Sequence, residues 1–421
     1  MSSAETLFFQ NASQLLTLAG PPVPRRGGAL SELGLIENGA VLTRGEKILR
    51  VGKSRDLAKE ARRLRARTID CTGQVVMPGF VDSHTHLIFA GNRVNDFELR
   101  IQGRTYEEIA SAGGGIRNSA ERLASAPRRD LAAQGATFLA QFAGHGTTTV
   151  EVKSGYGLDF ANEIKILEVV RALRRESPVE LVPTLLAAHA LPAGYKRQRR
   201  VYIQMITQRL IPAVARAGLA EFVDCFCDRG AFTRDECRKV LTAGGRHNLI
   251  PRIHAEQLSH TASFRLALAL GGASADHLDH LTAAEIRALA RSNVVASLVP
   301  GSNFHLGTRD YPPARRLIDA GAAVALATDF NPGTCPTLNM QFILSLACSA
   351  MHMTPAEALS AATINAAYSL RRGDRLGSLE PGKQADFVVM DVGDYREIPY
   401  YFGWNHCVMT VKRGRIIYTR N

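Results

Sequence analysis

Apolar, β-branched runs recur through the middle of the chain, each followed by a stretch whose apolar positions return every three to four residues. The runs are VVMPGFVD (75–82), GTTTVEVKSG (146–155), VELVPTLLAA (179–188), AEFVDCFC (220–227), NLIPRIHAE (248–256), GGASADHL (271–278), NVVASLVP (293–300) and AAVALATD (322–329). Short apolar runs of this kind read as strands buried on both faces, and NEIKILEVVRALRRE (162–176) and ARRLIDAG (314–321) between them read as amphipathic helices. Eight strand–helix units in succession predict an α/β fold, a (β/α)8 barrel. No Gly-x-Gly-x-x-Gly turn follows the first run, which argues against a doubly wound sheet. The glycines at Gly113–Gly115 fall within an insertion between strands and are expected in a mobile loop.

The two ends of the chain have a different pattern. GLIENGAVLTRGEKILRVGK (34–53) predicts two strands around a turn at Arg44–Gly45, and RTIDCTGQVVMPGF (67–80) continues in that style. ADFVVMDV (385–392) and HCVMTVKRGRIIYTRN (406–421) resume it, with a hairpin turn at Lys412–Gly414. Neither end is long enough to bury a core alone. One small β-sandwich domain built from residues 1–77 and 381–421 is therefore expected beside a barrel of residues 78–380. Val411–Gly414 is expected to serve only that small domain.

In a barrel of this kind the chemistry sits at the C-terminal ends of the strands. Strand one ends in Asp82-Ser83-His84-Thr85-His86, strand five in His254-Ala255-Glu256-Gln257, strand six in Asp276-His277 and strand eight in Asp329-Phe330-Asn331. Strand two runs into Lys153-Ser154-Gly155-Tyr156-Gly157, strand three ends at His189, and strand four at Asp224–Asp228. Residues two apart on a strand share a face, so His84 and His86 can reach one ion. With His254 and Asp329 they make a three-nitrogen, one-oxygen set suited to zinc or iron, with a position open for water. A lone histidine is more often a satisfied core residue; several at neighbouring strand ends point to a metal. Strand four ends without a lysine that could bridge two ions, so one ion per subunit is expected, Zn2+ or Fe3+.

Composition adds a soluble, globular character and excludes little else. The net charge of +12 includes clusters at Ala61–Arg67 and Lys196–Arg200 and pairs at Arg315–Arg316 and Arg371–Arg372. These are dispersed over helical segments without interleaved aromatics, which predicts solvated surface and no nucleic-acid partner. The positive field favours an anionic substrate. No apolar stretch is long enough to span a membrane, and Glu5 sits where a secretory signal would carry positive charge, so a cytoplasmic location is expected. The seven cysteines include none in a C-x-x-C spacing, and Cys225 and Cys227 read as core thiols.

The segments VMPGFVDSHTHLIFAGNR, Tyr106-Glu107-Glu108-Ile109 with the following Ala112-Gly113-Gly114-Gly115-Ile116, Lys153–Leu158, His254–Gln257, Ser274–Leu278 and Asp329–Gly333 together resemble the imidazolonepropionases of the amidohydrolase superfamily, in the expected order over nearly the whole chain. The H-x-H and Ala385–Val389 segments identify only the superfamily; Lys153–Gly157 and Asp329–Gly333 are the specific part. The resemblance implies hydrolysis of the ring C–N bond of 4-imidazolone-5-propanoate to N-formimidoyl-L-glutamate, a step of histidine degradation. It also implies substrate contacts from Tyr156, His189, Asn331, Gly333 and Thr334. The substrate's carboxylate needs a cationic partner, and Arg93 fits as a bidentate one. His277 is expected to stabilise the developing oxyanion and Asp329 to carry a proton of the attacking water. Gln257 cannot transfer a proton and is expected to hydrogen-bond the ring, which leaves the adjacent Glu256 among the candidate acids. His305 is either a loop residue or an extra substrate contact. Barrels of this kind are commonly symmetric dimers, so a homodimer is expected.

Two rivals share parts of this pattern. An aminohydrolase of the cytosine- or guanine-deaminase type would carry Glu, not Gln257, three residues past His254. A barrel retained only as a structural or interaction protein would have lost ligands, whereas His84, His86, His254, His277 and Asp329 are all present.

Overall fold

A computed structural model describes residues 5–104, 108–109 and 113–420. The chain begins with β1 (Thr6–Leu16), β2 (Leu35–Arg44), β3 (Lys47–Lys53), β4 (Arg67–Asp70) and β5 (Val75–Pro78). The barrel strands follow: β6 (Phe80–Asp82), β7 (Thr147–Lys153), β8 (Glu180–Ala188), β9 (Phe222–Cys227), β10 (Ile250–Ala255), β11 (Ser274–His277), β12 (Val295–Leu298) and β13 (Val324–Leu326). β14 (Phe387–Met390), β15 (Cys407–Lys412) and β16 (Arg415–Thr419) end the chain.

All eight predicted barrel strands are present, parallel and in sequence order from β6 to β13. A parallel bridge between Thr85 and Phe330 brings the first and last strand ends together, which closes the barrel just above its rim. The terminal strands form a second, mixed sheet in the order β16-β15-β14-β5-β1-β2-β3, with β4 paired to β1. A bridge from Lys47 to Gln384 folds this sheet over a core of Leu7, Phe9, Val41, Val76, Phe387 and Val411. The run 75–82, read as one strand, is split at Gly79 between the two sheets. Glycine is required there because a Cβ would lie 2.3 Å from Thr148 Cγ2.

Two basic segments are less exposed than their sequence suggests. Arg372, expected on a solvated surface, is buried and pairs with Glu180 and Glu221 at 3.1 and 2.6 Å. Lys412, expected to serve only the small sheet, binds Asp386 at 2.7 Å within it and also reaches barrel residues Glu180 at 3.2 Å and Thr149 at 3.3 Å. Glu180, at the start of β8, thus gathers Arg372, Arg375 and Lys412 and ties the small sheet to the foot of the barrel. Burial raises its pKa, but these three cations outweigh burial and hold it below the usual carboxylate range. Its contribution is whole above the unfolded value near 4.5 and is lost as pH falls below that toward the depressed folded value. Glu180→Gln is expected to lower unfolding stability by about 2–4 kcal/mol at pH 7. In urea melts the gap from the parent protein should narrow below pH 4.5.

All seven cysteines are free thiols and six are buried, as expected of core residues. Among the described residues no helix is long and apolar enough to cross a membrane.

Candidate metal centre and its surroundings

The centre of the barrel is charged. Glu151, Lys153, Asp224, Arg252 and Asp276 are inward residues of β7, β9, β10 and β11, and all are fully buried. Lys153 Nζ donates to Glu151 Oε1 at 3.0 Å and Asp224 Oδ2 at 2.8 Å. Arg252 Nη2 donates to Asp276 Oδ2 at 3.1 Å and to the Ser83 carbonyl at 2.7 Å. Barrel interiors are ordinarily filled with branched apolar side chains. Here the packed layer is an ion network, and the histidines stand on it.

His84 Nδ1 donates to Asp276 Oδ2 at 2.7 Å, which fixes the tautomer and leaves Nε2 as the free acceptor. His254 Nδ1 lies 3.1 Å from Asp224 Oδ2, close enough for attraction, but its angle is poor for a hydrogen bond. Around His84 Nε2 two sets converge. Ligand atoms of His84, His86 and Asp329 lie within 4.8 Å of one another, and so do those of His84, His254 and His277. Asp329 Oδ1 stands 3.4 Å from His84 Nε2 and 3.5 Å from His86 Nε2.

These residues fit a metal ion. His84 Nε2 and both ring nitrogens of His254 and His277 are buried without hydrogen-bond partners. Buried polar atoms are rarely left so, because each unmade bond carries its desolvation cost. Burial also pushes the His84, His86 and His277 imidazoles well below their ordinary pKa, toward the neutral form that ligates metals. Two buried cations, Lys153 and Arg252, face the larger set of Glu151, Asp224, Asp276 and Asp329. Of the residues read from the sequence, His84, His86 and Asp329 thus come together in one group and His84, His254 and His277 in a second, with His84 common to both.

The backbone leaves the strands in unusual conformations here. His277 (φ 76°), Leu278 (φ 68°), Asp329 (φ 56°) and Glu256 (φ 57°) all occupy the left-handed region. Such conformations cost free energy for non-glycine residues and concentrate at functional sites. At Glu256 the turn decides the side chain's role. Its buried carboxylate accepts from Thr261 N at 2.6 Å and Ala262 N at 3.1 Å, from Ser263 N, and from the Thr261 and Ser263 hydroxyls. Glu256, expected among the catalytic acids, instead holds the 261–263 loop. Gln257 remains at the half-exposed mouth, its backbone N–H held by Asp228 Oδ2 at 3.1 Å.

Tyr156 and His189, expected from the sequence as substrate contacts, lie beside His86, and the loop that carries Tyr156 is held firmly. Glu163, a residue without any sequence signal, accepts from Gly155, Gly157 and Leu158 N–H groups and pins the loop that carries Tyr156. The buried Tyr156 ring lies 5.8 Å from the His86 ring and 5.9 Å from the Arg93 guanidinium carbon. His189 stacks on His86 at 4.9 Å, and its Nδ1 donates to the Gly155 carbonyl at 3.0 Å, leaving Nε2 as an acceptor.

Arg93 is held by Ser119 Oγ, which accepts from Nε at 2.8 Å. Ser119 lies on the helix Gly115–Ser125, so Gly115, expected in a mobile loop, opens a helix. Tyr106 and Glu107 of the same motif lie outside the described residues. Asn331 does not extend an unpaired amide: its Oδ1 accepts from Gly333 and Thr334 N–H at 2.8 and 2.7 Å, and its Nδ2 donates to the Asp329 carbonyl. It shapes the turn that presents Gly333 and Thr334. Gly333 permits a close approach, since a Cβ there would stand 2.3 Å from Arg93 Nη1. His305 lies on the helix Pro300–Leu306, stacked on Phe97 at 5.0 Å, and is not a loop residue.

Comparison with known proteins agrees with this geometry. The Amidohydrolase family matches residues 75–417. An imidazolonepropionase of Geobacillus thermodenitrificans (strain NG80-2) is 46% identical over 414 residues, 98% of this chain and 97% of that protein. One of Solibacter usitatus (strain Ellin6076) is 44% identical over 411 residues, 98% of each. The solved structure of E. coli guanine deaminase superposes with a TM-score of 0.70 over 99% of this chain and 100% of its own, at 18% identity, a likeness of fold alone. Matched over nearly its whole length in this way, the chain belongs to the imidazolonepropionases of the amidohydrolase family.

Proposed function

We propose that the chain hydrolyses the ring C–N bond of 4-imidazolone-5-propanoate to N-formimidoyl-L-glutamate, with one zinc or iron ion held by His84, His86, His254 and Asp329. The observation that carries this reading is the line from the histidine cluster through Tyr156 to Arg93, whose rings and guanidinium are spaced 5.8 and 5.9 Å apart. That span suits a small planar ring with a short carboxylate tail. The bound ion would supply Lewis acidity and lower the pKa of water in the site.

The protein's own groups do the rest. Tyr156 and His189 wall the ring, Gln257 faces it at the mouth, and Arg93 holds the tail. Asp329, beside His84 and His86, accepts a proton from the attacking water and returns it to the ring nitrogen as the C–N bond breaks. His277, neutral in its buried setting, donates a hydrogen bond to the oxygen that gains charge. Asn331, Gly333 and Thr334 form the turn against which the tail is seated.

Loss of imidazolonepropionate absorbance by the metal-loaded protein, without ammonia release from cytosine or guanine, is the expected result; the reverse pattern would favour the deaminase reading. Arg93→Lys should raise KM about ten- to hundredfold, the loss of one charge-assisted bidentate contact, with metal content unchanged. An unaltered KM would remove Arg93 from the clamp.

A further inference from the structure

The helix Val94–Ile101 sends two arginines to one glycine. Arg93, its N-cap, places Nη1 where a Cβ on Gly333 would stand 2.3 Å away, and Arg100 Nη1 donates to the Gly333 carbonyl at 3.5 Å. Two guanidinium groups thus bracket the turn that follows Asp329. Like charges so close repel unless an anion lies between them.

Asp96 attracts Arg100 in part, but among the described residues no carboxylate pairs with either guanidinium group. Arg93 is held by the neutral Ser119 hydroxyl, and neither arginine forms an ion pair among the described residues. The carboxylate on their own helix, Asp96, accepts from Gly115 N at 2.8 Å. Arg100 Nη2 is buried and has no hydrogen-bond partner among the described residues. Phe97 lies 5.8 Å from the Arg100 guanidinium carbon and stacks on His305, so aromatic rings stand where water would hydrate the cation. A buried donor on a charged group is costly to leave unmade. A ligand carboxylate, with lone pairs on two oxygens, can satisfy both guanidinium groups.

We propose that Arg100 is the second arm of the carboxylate clamp, so that the substrate's tail is held between Arg93 and Arg100 against Gly333. This rests on the reading of Arg93 as the carboxylate-binding group. A two-armed clamp makes Arg100 a specificity residue: it contributes to the preference for an acid over its neutral amide and takes no part in the bond-breaking step.

The test compares kcat and KM for 4-imidazolone-5-propanoate and its neutral propanamide counterpart in metal-loaded wild type, Arg100→Gln, Arg100→Lys and Arg93→Gln proteins. Arg100→Gln is expected to lower the acid-over-amide ratio of kcat/KM by about tenfold or more, through KM, with kcat and metal content unchanged. Arg100→Lys, which keeps charge without the fork, should recover part of the ratio and gives a second reading if the glutamine variant does not fold. An unchanged ratio in both Arg100 variants, with a collapsed ratio in Arg93→Gln, overturns the second arm and leaves the first. If Arg93→Gln also leaves the ratio unchanged, the carboxylate reading itself fails. Calorimetric binding of glutarate to the same proteins reads the clamp without turnover. A tenfold loss in Arg100→Gln supports the two arms, and equal affinity overturns them.

Discussion

Asp329→Ala is expected to abolish turnover, by more than about a hundredfold, and to leave the purified protein without stoichiometric metal while the barrel stays folded. Outer-sphere partners of a metal cost up to about a hundredfold when removed, and Asp329 is the one carboxylate in direct contact with the His84 and His86 ring nitrogens. The barrel should survive because the substitution takes away a buried carboxylate that, among the described residues, forms no ion pair with a lysine or arginine. Burial already pushes its pKa well above the usual range, a sign that the fold alone does not favour its charge. Elemental analysis, activity after reconstitution with zinc or iron, and a circular dichroism melt check the three parts together. Undiminished activity in this variant would refute the ligand set.

Lys153→Met should be the most destabilising single change in the barrel interior, by about 3–5 kcal/mol in urea unfolding. The ammonium is fully buried between Glu151 and Asp224, at 3.0 and 2.8 Å, and its pKa is raised because those carboxylates outweigh burial. Methionine fills similar space but leaves two buried carboxylates without their cation. The damage should reach the metal centre as well, since Asp224 also faces His254. A double variant, Lys153→Met with Glu151→Leu, removes one charge of each sign and should be less destabilised than the sum of the two single changes. Simple additivity would mean that the pair is not coupled.

What could be read from the chain depended on how local the information was. Apolar, β-branched runs of eight to ten residues marked each barrel strand, because burial on both faces demands apolar side chains all along. His84 and His86 could be placed on one face from the two-residue period of a strand. The charged inward residues were also visible as single interruptions of apolar runs: Glu151 and Lys153 in TTTVEVK, Asp224 in FVDCFC and Arg252 in IPRIHA. Their partners were not, because Lys153 and Asp224 are 71 residues apart and meet only across the barrel.

Arg93 shows the same division. Its charge and its nearness to the H-x-H identified it, but Ser119 and Gly333, which hold and admit its guanidinium, come from a helix and a loop far along the chain. Glu256 and Gln257 are neighbours with similar side chains, and sequence could not separate them. A single left-handed residue at Glu256 turns its carboxylate into a loop cap. No local pattern distinguishes Arg100; the turn at Gly333 brings it to the same glycine as Arg93.

The sequence by itself thus determined the strand count, the barrel, the pairing of its two ends into one sheet and the gathering of histidines at the strand ends, since each follows from periodicity or from residue type at a strand end. Only the tertiary structure decided which buried charges pair, which of two adjacent residues caps a loop, and how the arginines converge. Those depend on strand order, barrel closure and a few left-handed turns, and they join side chains that no local pattern connects.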